Sequence, residues 1–388
     1  MESIFDRCVL VVTYLTLSMS VLSCTEKDRK ADRVLSEQLS EINLTKTQTF
    51  GDTQDVLFDR MGLVDVDDKN RVYISERAMG NRTIHVFSQD GSYVTNVSRQ
   101  GNGPGEFRTL GYLNTPNDTL FLFDSFHHRL STFVIGSDSS TYHFTESSNI
   151  NVKSSPKIEE VGDKKVEKAF VFDNGEMLVG MADPPVPNDQ ERAIFYYQLD
   201  AEGKLIQQER LFEQNAITIF KTEANSFSVT MQLPFARRPL IAVSQDGIIF
   251  KAWSEDFKID VLNTSGQKLR TISVPFKNAL INKSEVLEWY ESNKNFYQAV
   301  QNASFPERWP ALNALLVDDQ NRLWVSTIVE NLDVYEWWVL TQTGDVITRF
   351  TWPRDKPIQA VKNGYLYTKE EDDNGIEEVV KYKINIDR

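Results

Sequence analysis

Two kinds of tight turn alternate along this chain from about residue 58 to its end, and that alternation constrains the fold more than any other feature. The first kind lies in "VDVDDKNRVYIS" (64–75), "AVSQDGIIFKAW" (242–253), "LLVDDQNRLWVS" (315–326) and "AVKNGYLYT" (360–368). Looser copies are "NTPNDTLFLFD" (114–124) and "VFDNGEMLVG" (171–180). The second kind follows in "FSQDGSYV" (87–94), "VIGSDSSTY" (134–142), "LDAEGKLI" (199–206), "LNTSGQKL" (262–269) and "LTQTGDVI" (340–347). In each, an apolar strand runs into Gly, Asn or Asp, residues that tolerate positive φ, and a second strand leaves. Two such hairpins make a four-stranded antiparallel unit of about 45 residues, repeated along the chain.

Units fall near 58–105, 106–147, 164–212, 238–277, 311–353 and 357–385. The last shows only three strands, while "INLTKTQTF" (42–50) stands unpaired before the first. Pairing the two closes a ring and removes the exposed edges of an open sheet. The predicted class is all-β: a six-bladed β-propeller of four-stranded antiparallel blades over 41–388, with 41–50 as closing strand and one helical insertion over 278–310. Five or seven blades would follow if 148–163 or 213–237 holds another.

The stretch "RQGNGPGEFRTL" (99–110) sits between the first two units. Its glycines, Gly101, Gly103 and Gly105, allow a sharp excursion from the rim back to the axis, Pro104 stiffens it, and Phe107 can bury between blades. A phosphate-binding loop needs Lys-Ser/Thr or a helix directly after the glycines, and neither is present. Gly105-Glu106-Phe107, then Asp124, His128, Arg129, Leu130 and Phe133 in "FLFDSFHHRLSTF", resemble the NHL repeat. Blade one keeps the outline with Glu76 in place of the Asp; the other four keep only the turns. Asp124 and Arg129 flank a short loop, close enough for a charge-assisted hydrogen bond. As a whole the chain resembles the NHL-like (TolB-like propeller) class of six-bladed bacterial propeller lipoproteins, which implies an exported β-propeller.

The amino terminus agrees with that implication. "CVLVVTYLTLSMSVLS" (8–23) carries no charge and suits a signal-peptide core. Val21-Leu22-Ser23-Cys24 resembles a lipobox, which marks 1–23 as leader, Cys24 as the lipidated residue and 24–40 as a charged tether. The alternatives are an uncleaved anchor or a signal without lipidation. Of two cysteines, Cys8 lies in the leader, so the mature chain has no pair for a disulfide. A net charge of −14 argues against nucleic acid. The expected location is the cell envelope, facing the periplasm or the cell surface, with membrane contact through the lipid alone.

In a blade, the first-to-second and third-to-fourth turns share one face, here called the turn face. The second-to-third turns and blade-to-blade links share the other, the loop face. Long segments, 182–193, 371–375 and the links 148–163, 213–237 and 278–310, all belong to the loop face, which marks it as the binding face. Within 278–310, "NKSEVLEWYESNKNFYQAVQNA" reads as one helix, with Asn282 and Glu285 in a capping-box arrangement. Candidate binding residues on this face are Glu76, Asp124, His128, Arg129, Arg237, Arg238, Trp253, Glu255, Asp256, Glu330 and Asn331. Trp253 beside Arg237-Arg238 can stack a sugar or hold an anion. No catalytic set is evident among the four histidines, and no cofactor is expected. Calcium held by loop-face oxygens is the open case. The expected function is non-catalytic binding of a protein, peptide or glycan. The alternatives are a calcium-type metal-dependent hydrolase or lyase at the channel mouth, and a structural subunit of an envelope assembly.

Overall fold

The computed structural model describes residues 39–51, 56–58, 60–77, 82–136, 140–150, 164–207, 209–224 and 227–387. Cys24, the leader and residues 24–38 of the tether lie outside them. Ser40, also placed in the tether, is docked: its N–H donates to Ile347 O and its carbonyl accepts from Thr348 Oγ1.

Six four-stranded antiparallel sheets stand around one axis, the propeller that the turns predict. Blade one is β2 (Met61–Val66), β3 (Val72–Glu76), β4 (Thr83–Phe87) and β5 (Tyr93–Arg99). Blade two is β6 (Leu110–Asn114), β7 (Thr119–Asp124), β8 (Arg129–Ile135) and β9 (Tyr142–Asn149). Blade three is β10 (Lys165–Val171), β11 (Met177–Ala182), β12 (Ala193–Leu199) and β13 (Phe212–Asn215). Blade four is β16 (Pro239–Val243), β17 (Ile249–Trp253), β18 (Lys258–Leu262) and β19 (Lys268–Ser273). Blade five is β20 (Leu312–Val317), β21 (Leu323–Ile328), β22 (Val334–Leu340) and β23 (Val346–Pro353). Blade six is β24 (Ile358–Lys362), β25 (Tyr365–Glu371) and β26 (Glu377–Asp387), with β1 (Glu41–Phe50) as its outer strand. The β1–β26 register runs from Glu41 opposite Asp387 to Phe50 opposite Val379, with one shift between Lys46 and Gln48.

The core lies between blades. Tyr73, Ile84 and Val86 of blade one pack with Phe107, Leu113 and Leu120 of blade two, and equivalent clusters fill the other five interfaces round to Phe50, Val72 and Tyr367. A second strand is therefore covered on both sides, and every residue of β11 and β21 is buried. Such strands read as apolar runs instead of alternating.

Two first-kind turns are built by one aspartate each. Asp67 accepts from the N–H groups of Lys69 and Arg71, from Arg71 Nε and from the Tyr73 hydroxyl. Asp318 repeats this with Gln320, Arg322 and the Trp324 indole. Asn70 and Asn321 take positive φ at the tip (60° and 59°), which asparagine tolerates.

Two elements differ from the sequence reading. The expected helix in 278–310 is two short ones, α1 (Lys283–Glu288) and α2 (Lys294–Gln301). Asn282 caps the first through Ser284 N–H, and Asn293 starts the second by accepting from Asn295 and Phe296 N–H. Asparagine is a better cap than an interior residue, so Asn293 restarts the helix instead of continuing it. The link 213–237 contributes the end of β13 and a hairpin, β14 (Phe220–Ala224) and β15 (Phe227–Met231), and no seventh blade.

Candidate functional site

The hairpin and the two helices form a cap on the loop face. Val286, Leu287, Val300 and Ala303 bury against Phe235, Trp309 and Ile328, with Phe220, Met231, Tyr297 and Phe305 around them. The cap borders a cleft of about 230 Å³ lined by Pro234, Arg238, Trp289, Trp309, Asn313, Tyr335 and Arg354, with Ala236, Pro310, Leu312 and Ile328. The Trp289 and Trp309 rings lie 5.8 Å apart at 35°. Trp309 is buried, while Trp289 is 46% exposed. The Arg354 guanidinium sits 4.4 Å from the centre of the Tyr335 ring, and its Nε donates to Val334 O at 3.1 Å. Arg238 Nη2 donates to Asn313 O at 2.7 Å and to Asn313 Oδ1. Burial lowers the pKa of both guanidiniums, against weaker opposing charge interactions with neighbours such as Tyr335.

Of the loop-face candidates, only Arg238 belongs to this cleft. Trp253, Glu255 and Asp256 line a separate groove of about 380 Å³ between blades three and four, with Glu213, Lys251, Lys258 and Asp260. The sequence reading joined Trp253 to Arg237 and Arg238; the structure puts Arg238 in the cleft and Trp253 in this groove. Arg237 instead pairs with Glu255 through both Nε and Nη2, and that hydrogen bonding holds the Glu255 carboxyl below its ordinary range. Glu76 lies 3.5 Å from His85 Nε2, and burial keeps that imidazole below its usual pKa despite the carboxylate. Glu330 and Asn331 stand exposed on the β21–β22 loop.

Asp124 and Arg129 do not make the expected bond. Burial pushes the Asp124 carboxyl up, but the N–H groups of Arg108, Thr109 and Phe126 and the His127 ring outweigh it and hold it below normal. Arg129 turns to the carbonyls of Asn102 and Glu106 and so fastens the blade-one to blade-two link. His128 takes positive φ (52°), and its pKa is lowered, first by burial. Inside the link, Gly105 has φ +72° and Phe107 is buried; Glu106 accepts from Gly103 N–H and Arg99 Nε. Asp124, Arg129 and Glu106 thus use their hydrogen bonds to hold the link and the β7–β8 turn in place. Among the described residues, no three His, Cys, Asp or Glu side chains converge as metal ligands.

The axis opens on the turn face as a channel of about 300 Å³, walled by all six innermost strands through residues such as Asp65, Asn114, Phe170, Val243, Leu316 and Lys362. Burial raises the pKa of Asp65, whose Oδ2 accepts from Thr115 Oγ1 at 2.7 Å. Lys362 pairs with Asp68 at 2.8 Å. The sequence reading named none of these residues; its hydrolase or lyase alternative put a site at the channel mouth, built from loop-face oxygens. It also missed Trp289, Trp309, Tyr335 and Arg354, whose only common signal is aromatic or cationic character beside loop-face links.

The chain is a six-bladed β-propeller, and the comparisons agree. A family model described as "6-bladed beta-propeller" matches residues 20–156. No curated protein matches the sequence. Solved structures similar to it include an inferred exported protein from Bacteroides fragilis (12% identity, TM-score 0.50, covering 90% of this chain and 96% of that one). Another is a member of the DUF4221 family from Bacteroides vulgatus (10% identity, TM-score 0.50, covering 89% and 99%). At these identities the likeness is one of fold.

Proposed function

We propose that this chain is an exported, lipid-anchored propeller that binds a protein, peptide or glycan through its loop face without catalysis. The observation that carries the reading is the cap with its aromatic and arginine-lined cleft, built wholly from loop-face links and blade ends. The uncharged stretch before Cys24 and the lipobox-like Val21–Cys24 support export and lipidation. Among the described residues no helix is long and apolar enough to cross a membrane. β1 begins at the turn face, beside Ile347 and opposite Asp387. An anchor at Cys24 therefore attaches on the turn-face side and leaves the cleft pointing away from the bilayer.

Capture from envelope extracts on immobilised mature protein tests the reading. The wild type retains a partner, and Trp289→Ala, altering a half-exposed side chain of the cleft, loses it. Retention of nothing, or equal retention by the variant, overturns it.

A further inference from the structure

We infer that the loop-face cleft holds a carboxylate-bearing sugar residue, a hexuronate of an acidic glycan; this rests on the loop-face binding proposed above.

The arginines point to an anion. Several partly or fully buried arginines elsewhere in the chain meet carboxylates, Arg71 with Asp67, Arg192 with Glu167, Arg237 with Glu255 and Arg322 with Asp318, while Arg82, Arg129 and Arg270 donate to backbone carbonyls. Arg238 and Arg354 have no carboxylate within ion-pair distance among the described residues, in a chain with 56 acidic side chains. Their hydrogen bonds go to neutral oxygens, and Arg354 Nη2 is buried with no partner at all. Asp333 and Glu285 act on Arg354 through space without pairing with it; a partly buried guanidinium with no paired carboxylate is costly, and its planar fork matches one. The chain carries a net charge of −14, and Asp333 and Glu285 lie near Arg354, so an anion brought here is held by these two guanidiniums and not by the protein's overall field.

The remaining features point to a sugar ring carrying that anion. Trp289 offers a 46% exposed indole, backed by Trp309. Trp309 itself is 1% exposed and its Nε1–H has no acceptor. A carboxylate alone satisfies the arginines but leaves the indole face and this N–H unused. A sugar acid engages all three: carboxylate on guanidinium, hydroxyl oxygen on Nε1, ring C–H face on Trp289. The volume, about 230 Å³, falls below the roughly 300–1,000 Å³ of drug-sized sites and suits one ring.

The test titrates the mature protein, by tryptophan fluorescence and calorimetry, with trigalacturonate, its methyl ester, a sulfated galactose trimer and an acidic tripeptide. Trigalacturonate binds at least about ten-fold tighter than the ester, as expected for hydrogen bonds to a charged group. Arg354→Gln removes that preference, and Trp289→Ala weakens acid and ester alike by a similar factor. Should Arg354→Gln fail to fold, the acid-to-ester ratio on the wild type decides alone. Equal affinity for acid and ester, tighter binding of the sulfated sugar or the peptide, or no saturable response to any probe overturns the inference. The loop-face reading survives that result if the Trp289-dependent capture still succeeds, so the two fail separately.

Discussion

Asp318 has a side chain with no solvent exposure and accepts from two backbone N–H groups, Arg322 Nε and the Trp324 indole. Replacing it with Ala strands a guanidinium and an indole N–H, so Asp318→Ala is expected to cost about 3–5 kcal/mol in urea unfolding. A cost below about 1 kcal/mol would show that the turn forms without it. Asp65 works in the opposite sense. Its folded pKa is raised above 3.8 by burial, outweighing the Thr115 hydrogen bond and Lys362. The native state then holds more protons than the unfolded chain between 3.8 and the folded value, and stability falls as pH rises through that window. The penalty grows with pH above 3.8 and is fully present only above the folded value. Asp65→Asn keeps an acceptor for Thr115 and cannot ionise, so its melting temperature should exceed the wild type's at pH 7. The gain should vanish below about pH 3.8; a variant less stable than the wild type at pH 7 would contradict this. The two aspartates also differ in legibility. Asp318 stands in a repeated "DD-x-NR" turn whose geometry follows from local spacing, whereas the environment of Asp65 depends on strands from the whole ring.

At the level of elements, links and closures matter more than single strands. Gly105 turns the chain between blades one and two at φ +72°, where a Cβ would meet Phe144 Cδ2 at 2.9 Å and Phe133 Cζ at 3.2 Å. Gly105→Ala should therefore cost about 1–2 kcal/mol from the backbone conformation alone, read as a lower urea midpoint. Phe50, 1% exposed at the end of β1, packs 6.3 Å from Phe87 and 6.4 Å from Tyr367, joining blades six and one. Phe50→Ala should cost about 3–5 kcal/mol in the same assay; an unchanged midpoint would mean that the ring closes without this contact. Turn-forming Gly, Asn and Asp made the blades readable because each acts within a few residues. The helix break at Asn293 was readable in principle, since asparagine caps helices. The loop-face cleft was not. It joins Trp289 and Trp309 of the link 278–310 to Arg238 at the start of blade four and to Tyr335 and Arg354 at the loop-face end of blade five, and no local spacing encodes that meeting. Trp253 shows the converse: a neighbour of Arg238 across the β16–β17 hairpin, it faces another groove.

For the whole molecule, the direction of each strand fixes which face an anchor at Cys24, as proposed, turns toward the membrane. An innermost strand runs from loop face to turn face, the second returns, and β1, an outermost strand, must start on the turn face. About 16 residues between Cys24 and Glu41 reach at most roughly 55 Å, enough to lift the disc but starting from the side opposite the cap. The two faces are separated by about 20 Å, the length of a six-residue strand such as β21. Single-thiol labelling resolves that distance, because under the proposed processing Cys8 leaves with the leader and lipidation consumes Cys24. Ser265→Cys places a dye on an exposed turn-face hairpin and Glu330→Cys places one on an exposed loop-face hairpin. With energy acceptors dissolved in vesicles carrying the anchored protein, transfer from position 265 should exceed transfer from position 330. Equal transfer would mean that the disc tumbles on its tether, and the reverse order would turn the cleft toward the lipid. The predicted order leaves the arginine-lined cleft open to the medium, where an acidic glycan too large to pass beneath the disc can still reach Trp289.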